Sequence, residues 1–202
     1  MCVGRVGMSK ATFDLFDAPL GDAFDYCQAL PDEMRFENYR REFCVDPQHW
    51  RRHRPPSWAF SLDWQEFRYA DLRQGSDVDR LIAGDDPGIY IFYARPDRVI
   101  HQFPQFAFYV GISNEGGSMR PLRERLKDYL PTALARIQKR QNIHRMLQLY
   151  YRCLWVAYAL THDHAADLEA LEESLHGYIH PCFARRDFPV SVKAQQQAFG
   201  VI

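Results

Sequence analysis

Two short apolar runs, residues 88–94 (GIYIFYA) and 106–113 (FAFYVGIS), are dense in aromatic and β-branched residues and enclose a segment punctuated by Pro96, Asp97 and Pro104. Runs of this length bounded by turn formers read as strands, and two in succession as a hairpin with a long connection. A third apolar run, residues 151–160 (YRCLWVAYAL), predicts a buried third strand. Between the second and third runs the period changes. Leu122, Leu126, Tyr129 and Leu130 form a helical stripe behind Ser118 as a cap, with Pro121 in the tolerated first turn. A further helix is expected after Thr132, and another from Asp163, whose apolar side is Leu168, Leu171, Leu175 and Ile179 and which ends near Pro181. Residues 77–83 read as a short helix delivering the chain into Gly88. Further upstream the aromatics Phe13, Phe16, Phe24, Tyr26, Phe36, Tyr39 and Phe43 are scattered as in short helices laid against a core.

At 202 residues, 47% hydrophobic and 25% charged, the chain can bury one good core. Its formal net charge of -1 gives no global attraction to polyanions, so a nucleic-acid site must come from local clustering. Residues 120–145 supply such a cluster. Arg120, Arg123, Arg125, Lys127, Arg136, Lys139, Arg140 and Arg145 face only Glu124 and Asp128 along that stretch. It reads as a nucleic-acid track over two helices, with a solvated helical face as the alternative. The basic and aromatic run WRRHRPP, residues 50–56, is either an arm against a phosphate backbone or a loop whose arginines pair with nearby acids. Five cysteines, an odd number without a CxxC pair, argue against a disulfide framework or a zinc ribbon and fit a reducing cytoplasm. No apolar run reaches membrane-span length, and the first ten residues lack a signal-peptide core, so a soluble intracellular protein is expected.

Candidate chemistry concentrates in the hairpin and two helices. Tyr90 and Tyr109 each have a glycine two residues away on their own strand face, Gly88 and Gly111. If the faces coincide, the phenols lie side by side with uncrowded flanks that a backbone or phosphate can approach; otherwise they pack a core. Arg125 stands four residues before Tyr129, which sets guanidinium and phenol on one side of a helix. Glu172 falls along the edge of the apolar side of the last helix, where a carboxylate needs an arginine partner or a cation. His162 and His164 form an HxH pair without a third ligand at recognisable spacing, and a loop is the better reading.

Gly88-Ile89-Tyr90, then Tyr109-Val110-Gly111, then Arg125 with Tyr129 four later, together resemble the GIY-YIG nuclease signature. Glu172 followed by nine positions to Pro181 matches the family's later glutamate-proline segment. The resemblance covers about half of the chain. It implies an α+β fold with a small antiparallel three-stranded sheet flanked by helices over residues 87–187, leaving 1–86 as a mostly helical N-terminal extension and 188–202 as a tail. It implies a metal-dependent DNA endonuclease of restriction or defence type, using one Mg²⁺ or Mn²⁺ held by Glu172. By the same resemblance Tyr90 acts on the attacking water as base or orienter, and Tyr109 steadies water or phosphate. Arg125 offsets phosphate charge and Tyr129 assists as a hydrogen-bond partner. Arg120, Arg123, Lys127, Arg136, Lys139 and Arg140 are the expected DNA contacts, and the N-terminal part is expected to add substrate contacts or a homodimer surface. This sequence departs from the family pattern in three places. The loop before Arg125 is long, so Arg120 or Arg123 could take its role; Ala184 stands at the usual asparagine; and no lysine follows the second motif. The alternatives are a catalytically weakened nucleic-acid-binding module and a protein-interaction domain that keeps the fold.

Overall fold

A computed structural model describes residues 47–95, 106–114, 120–130, 143, 146, 147, 150, 151, 153–162, 167–181, 190, 193 and 194. Within them β1 (Gln65–Arg68), β2 (Gly88–Ala94), β3 (Phe106–Ile112) and β4 (Leu154–Leu160) form one antiparallel sheet in the spatial order β1-β4-β2-β3. The fold is α+β as expected, but the sheet has four strands, not three. The extra strand is supplied by residues assigned above to a helical extension. Gln65–Arg68 buries only Phe67 well, so no apolar run announces it, and pairing with β4 makes it a strand: Gln65 lies opposite Tyr158, and Phe67 opposite Val156. Four residues are too few for local propensity to decide the conformation.

The central position of β2 explains its uniformly apolar sequence. It is hydrogen-bonded on both sides and covered on both faces, so every position meets protein. On one face Tyr90, Phe92, Tyr109, Val156 and Tyr158 join Tyr69, Leu122, Leu126 and Tyr129 in a core. On the other, Ile89, Val110, Ile112 and Ala159 pack with Ala59, Leu168, Leu171 and Leu175.

Among the described residues four α-helices flank the sheet: α1 (Pro47–Arg52), α2 (Gly75–Leu81), α3 (Leu122–Lys127) and α4 (Leu168–Ile179). Two 3-10 turns, Ser57–Ser61 and Tyr69–Asp71, bracket β1. A capping box starts α2, with Asp77 Oδ2 accepting from the backbone N–H groups of Arg73 and Gln74 at 2.9 and 3.0 Å. Pro121 caps α3 from an extended conformation (φ -59°, ψ 146°) instead of lying in its first turn. Asp167 occupies the cap of α4, which stops where His180 turns left-handed (φ 52°) just before Pro181. The expected caps Ser118, Thr132 and Asp163, and the helix after Thr132, lie outside the described residues. Trp50, Arg51 and Arg52, expected in an arm or loop, are the exposed last turn of α1. Just beyond it the His53 ring lies against Gly177 of α4, where a Cβ would overlap it.

Residues 65–82 contribute Phe67, Tyr69, Leu72, Val78 and Ile82 to the core. The Tyr69 hydroxyl donates to the carbonyl of Tyr129 at 2.5 Å, Tyr151 donates to Ala70 at 3.3 Å, and Tyr158 donates to Leu81 at 2.8 Å. Each bond ties this stretch to chain at least 60 residues away. Phe67→Ala is expected to lower unfolding free energy by about 3 kcal/mol, the usual cost of a truncated core aromatic. Urea denaturation measures it; a change below roughly 0.5 kcal/mol, as for a surface substitution, would mean that β1 is not part of the cooperative unit.

Candidate active site

The candidate site is assembled from β2, β3 and α3. Tyr90 faces Gly111 across the strand pair, and Phe92 faces Tyr109. With no side chain on Gly111, the Tyr90 phenol lies where a Cβ would stand; that Cβ would also come within 2.9 Å of Tyr109 Cε1. The rings of Tyr90 and Tyr109 are 6.2 Å apart between centroids and tilted by 43°. The two phenols therefore share a face, as the spacing predicts. The uncrowded flanks do not survive. The space over Gly111 is filled by Tyr90 itself, and a Cβ on Gly88 would run into the carbonyl of Ala159 and, at 2.9 Å, Leu122 Cδ2. These glycines admit protein, not phosphate.

Helix α3 completes the group. The hydroxyls of Tyr90 and Tyr129 share a hydrogen bond of 2.6 Å, and Arg125 Nε donates to Tyr90 Oη at 3.3 Å. The Arg125 guanidinium lies 5.9 Å from the centre of the Tyr129 ring, but not along one helix as expected: α3 ends at Lys127, and Tyr129 and Leu130 stand in the turn that follows. Tyr90, Tyr109 and Tyr129 are all buried, whereas the Arg125 side chain keeps 13% of its surface exposed. Burial pushes the Tyr90 hydroxyl well above the ordinary tyrosine value, with Tyr129 and Tyr109 adding to the effect and Arg125 opposing it. In this arrangement Tyr90 is a neutral phenol at physiological pH. It can orient a partner by hydrogen bonding and is not poised as a phenolate base.

The charges around α3 are more balanced in space than in sequence. Arg120 grips Asp128 through Nη1 and Nη2 at 2.7 and 2.9 Å and donates to the Glu124 carbonyl at 2.6 Å. Arg123 pairs with Asp85, and Lys127 bridges Asp79 at 2.8 Å and Glu124 at 2.7 Å. Asp79 comes from α2 and Asp85 from the turn before β2, acids that a reading confined to residues 120–145 could not count. Exposed pairs of this kind contribute only about 0–1 kcal/mol each, so they reduce the local field without locking the cations away. Arg136, Lys139 and Arg140 lie outside the described residues.

Glu172 comes from a different layer of the fold than Tyr90 and Arg125. It sits on α4, which packs against the opposite face of the sheet and contacts β3 above all. Its carboxylate is a quarter exposed, with Oε1 4.0 Å from Nε2 of the buried His176. Among the described residues no group of three or more histidine, cysteine, aspartate or glutamate side chains is arranged to hold a metal ion. One accessible carboxylate nevertheless suits Mg²⁺, which commonly takes one or two carboxylates and completes its shell with water and substrate oxygens. His162 pairs with Asp86, Nδ1 to Oδ2 at 2.9 Å; its HxH partner His164 lies outside the described residues, as does Ala184.

Two site-shaping residues, Tyr69 and Ser113, escaped the sequence reading, as did the pairing of Asp128, an acid it had counted only toward the charge balance. Asp128 lies within 3.7 Å of Arg125, and its position three residues later on a helix could have revealed it. Tyr69 holds the Tyr129 carbonyl from far upstream, and no local spacing signals that. Ser113 accepts from the Gly88 N–H at 2.9 Å while its own N–H donates to the Gly88 carbonyl at 3.0 Å, which fixes the start of β2. No family model, no curated protein and no solved structure matches the chain.

Two outcomes follow from this packing. Gly111→Ala is expected to destabilise the fold by about 1–3 kcal/mol, the range for overpacking, in urea melts. Tyr69 and Tyr90 both have hydroxyls raised by burial, so above about pH 10 the unfolded chain releases phenolic protons that the folded chain retains. Stability is therefore unaffected by these groups below that pH and falls as pH rises beyond it. A melting-temperature series should show this slope, and it should be shallower in Tyr90→Phe.

Proposed function

We propose that this chain is a divalent-cation-dependent endonuclease that hydrolyses phosphodiester bonds of DNA, in the restriction or defence setting that the GIY-YIG resemblance implies. The observation that carries the reading is the hydrogen-bonded group of Tyr90, Tyr129 and Arg125. Two of these residues lie 35 and 39 positions beyond the first, yet they meet at one hydroxyl. A buried phenol network joined to a partly exposed guanidinium is a fixed donor set beside which an anion can be held.

In this reading Arg125 offers its two outer nitrogens to the two non-bridging phosphate oxygens while Nε stays anchored on Tyr90. A guanidinium suits that bidentate contact better than an ammonium. Tyr90, neutral and held by Tyr129, orients by hydrogen bonding, and a different group takes the proton of the attacking water. The water oxygen bonds to phosphorus, the ester P–O bond on the far side breaks, and the departing sugar oxygen is protonated. Glu172 would hold the ion, whose part is to place positive charge at the phosphoryl group and to acidify bound water. The strand β3 is the natural rim of such a site, since it carries Tyr109 on the phenol face and packs α4 on the other.

A second reading, a DNA-binding module that does not cut, is favoured by the complete burial of Tyr90 and by Glu172 lying on the helix across the sheet. One assay separates them. Purified protein with Mg²⁺ or Mn²⁺ is expected to cleave single-stranded, double-stranded or branched DNA. Arg125→Ala should reduce the rate by about 10²–10³, the usual loss for one preorganised charge-stabilising donor, and Glu172→Ala should abolish metal-dependent cutting while both variants melt normally. Salt-dependent DNA binding without cleavage under either ion favours the second reading, and absence of any such binding favours a protein-interaction role.

A further inference from the structure

Three charged side chains meet around the end of α3: Arg125, which the reaction above already uses, and Arg120 and Asp128, which it does not. Both oxygens of Asp128 are held by Arg120, Nη1 to Oδ2 at 2.7 Å and Nη2 to Oδ1 at 2.9 Å. Arg125 Nη1 approaches the same Oδ2 at 3.7 Å. Two guanidinium groups thus converge on a single carboxylate oxygen, and the carboxylate is 41% exposed. A carboxylate and a phosphodiester share the features that such a clamp reads: one negative charge spread over two oxygens that a planar fork can grip.

We propose that Asp128 is an internal stand-in for a backbone phosphate of a polynucleotide. The carboxylate occupies the Arg120–Arg125 clamp in the free protein and is displaced when a phosphodiester binds, an assignment to nucleic acid that rests on the nuclease reading above. Arg120 is also tethered to the Glu124 carbonyl at 2.6 Å, and Arg125 to Tyr90 Oη at 3.3 Å, so both guanidiniums keep an anchor when the carboxylate leaves. Asp128 lies just beyond the last residue of α3, with an exposed side chain able to swing outward. The exchange is near neutral for the protein, because exposed ion pairs of this type are weak. It also raises selectivity, since a weakly held anion fails to displace a carboxylate that is covalently always present.

The test is fluorescence anisotropy with a labelled DNA duplex at fixed salt, without divalent ions, for the wild type, Asp128→Asn, Asp128→Ser and Arg120→Gln/Asp128→Asn. Removing the competing charge is expected to tighten binding roughly fivefold in both single variants, the scale of one released surface pair. Arg120→Gln in the Asp128→Asn background should cancel the gain. Unchanged or weaker binding in both folded single variants overturns the proposal. So does a gain that survives loss of Arg120. Inorganic phosphate is titrated in parallel; if it raises the melting temperature of Asp128→Asn as much as the duplex does at equal phosphate concentration, the clamp serves a free phosphate and the polynucleotide assignment falls. A cleavage assay on the same proteins keeps the two ideas apart. Cutting with no tightening in either variant removes the clamp and leaves the nuclease, while tightening without cutting does the reverse.

Discussion

The absence of one side chain sets the geometry of the rest. Because Gly111 carries no Cβ, the Tyr90 ring can lie across β3 instead of standing off it, and its hydroxyl is delivered to α3. That hydroxyl receives Arg125 and meets Tyr129, whose carbonyl is in turn held by Tyr69. Register between β2 and β3 is thereby constrained by more than hydrophobicity. A slip by one residue would send Tyr90 to the other face and set a branched side chain, Val110 or Ile112, opposite it. The strand pair, the helix and the upstream turn are fixed relative to one another through a single phenol.

A second constraint is electrostatic, and it works against the first impression of a basic helix. Each described cation of the 120–127 stretch has an acid beside it, drawn from α2, from the turn before β2 or from α3 and its cap. The arrangement orients guanidiniums without leaving them to repel each other. With a formal net charge of -1 over the whole chain, these pairs make the described surface around α3 less basic than its sequence suggests.

Legibility in the sequence followed the origin of each constraint. β2, β3 and β4 were visible because a strand enclosed by protein has to be apolar throughout, and α3 and α4 because their stripes recur at helical spacing. The cluster of Tyr90, Tyr109, Arg125 and Tyr129 was legible in part for the same reason: alternation on the strands put both phenols on one face, while Tyr129 reaches Arg125 from the turn after α3 and not from the helix the stripe predicted. β1 was illegible because Gln65, Glu66 and Arg68 gain strand conformation from β4, not from themselves. The neutralising role of Asp79 and Asp85 was hidden by distance along the chain. The relation of Glu172 to the phenols needed more than its own helix: spacing located the carboxylate beside an apolar stripe, and only the fold reveals that the stripe faces Ile89, Val110 and Ile112 instead of Tyr90.

The place of β1 bears on how the molecule comes together during synthesis. Its hydrogen-bonding neighbour in the sheet is β4, which begins 86 residues after Arg68, whereas β2 and β3 are consecutive. A growing polypeptide can close the hairpin early, but Phe67 stays without its partners Val156 and Tyr158 until β4 has emerged. Ribosome-bound chains halted before that point should be nicked by protease near Arg68, and longer ones protected, so the last strand made is the one that seals the first.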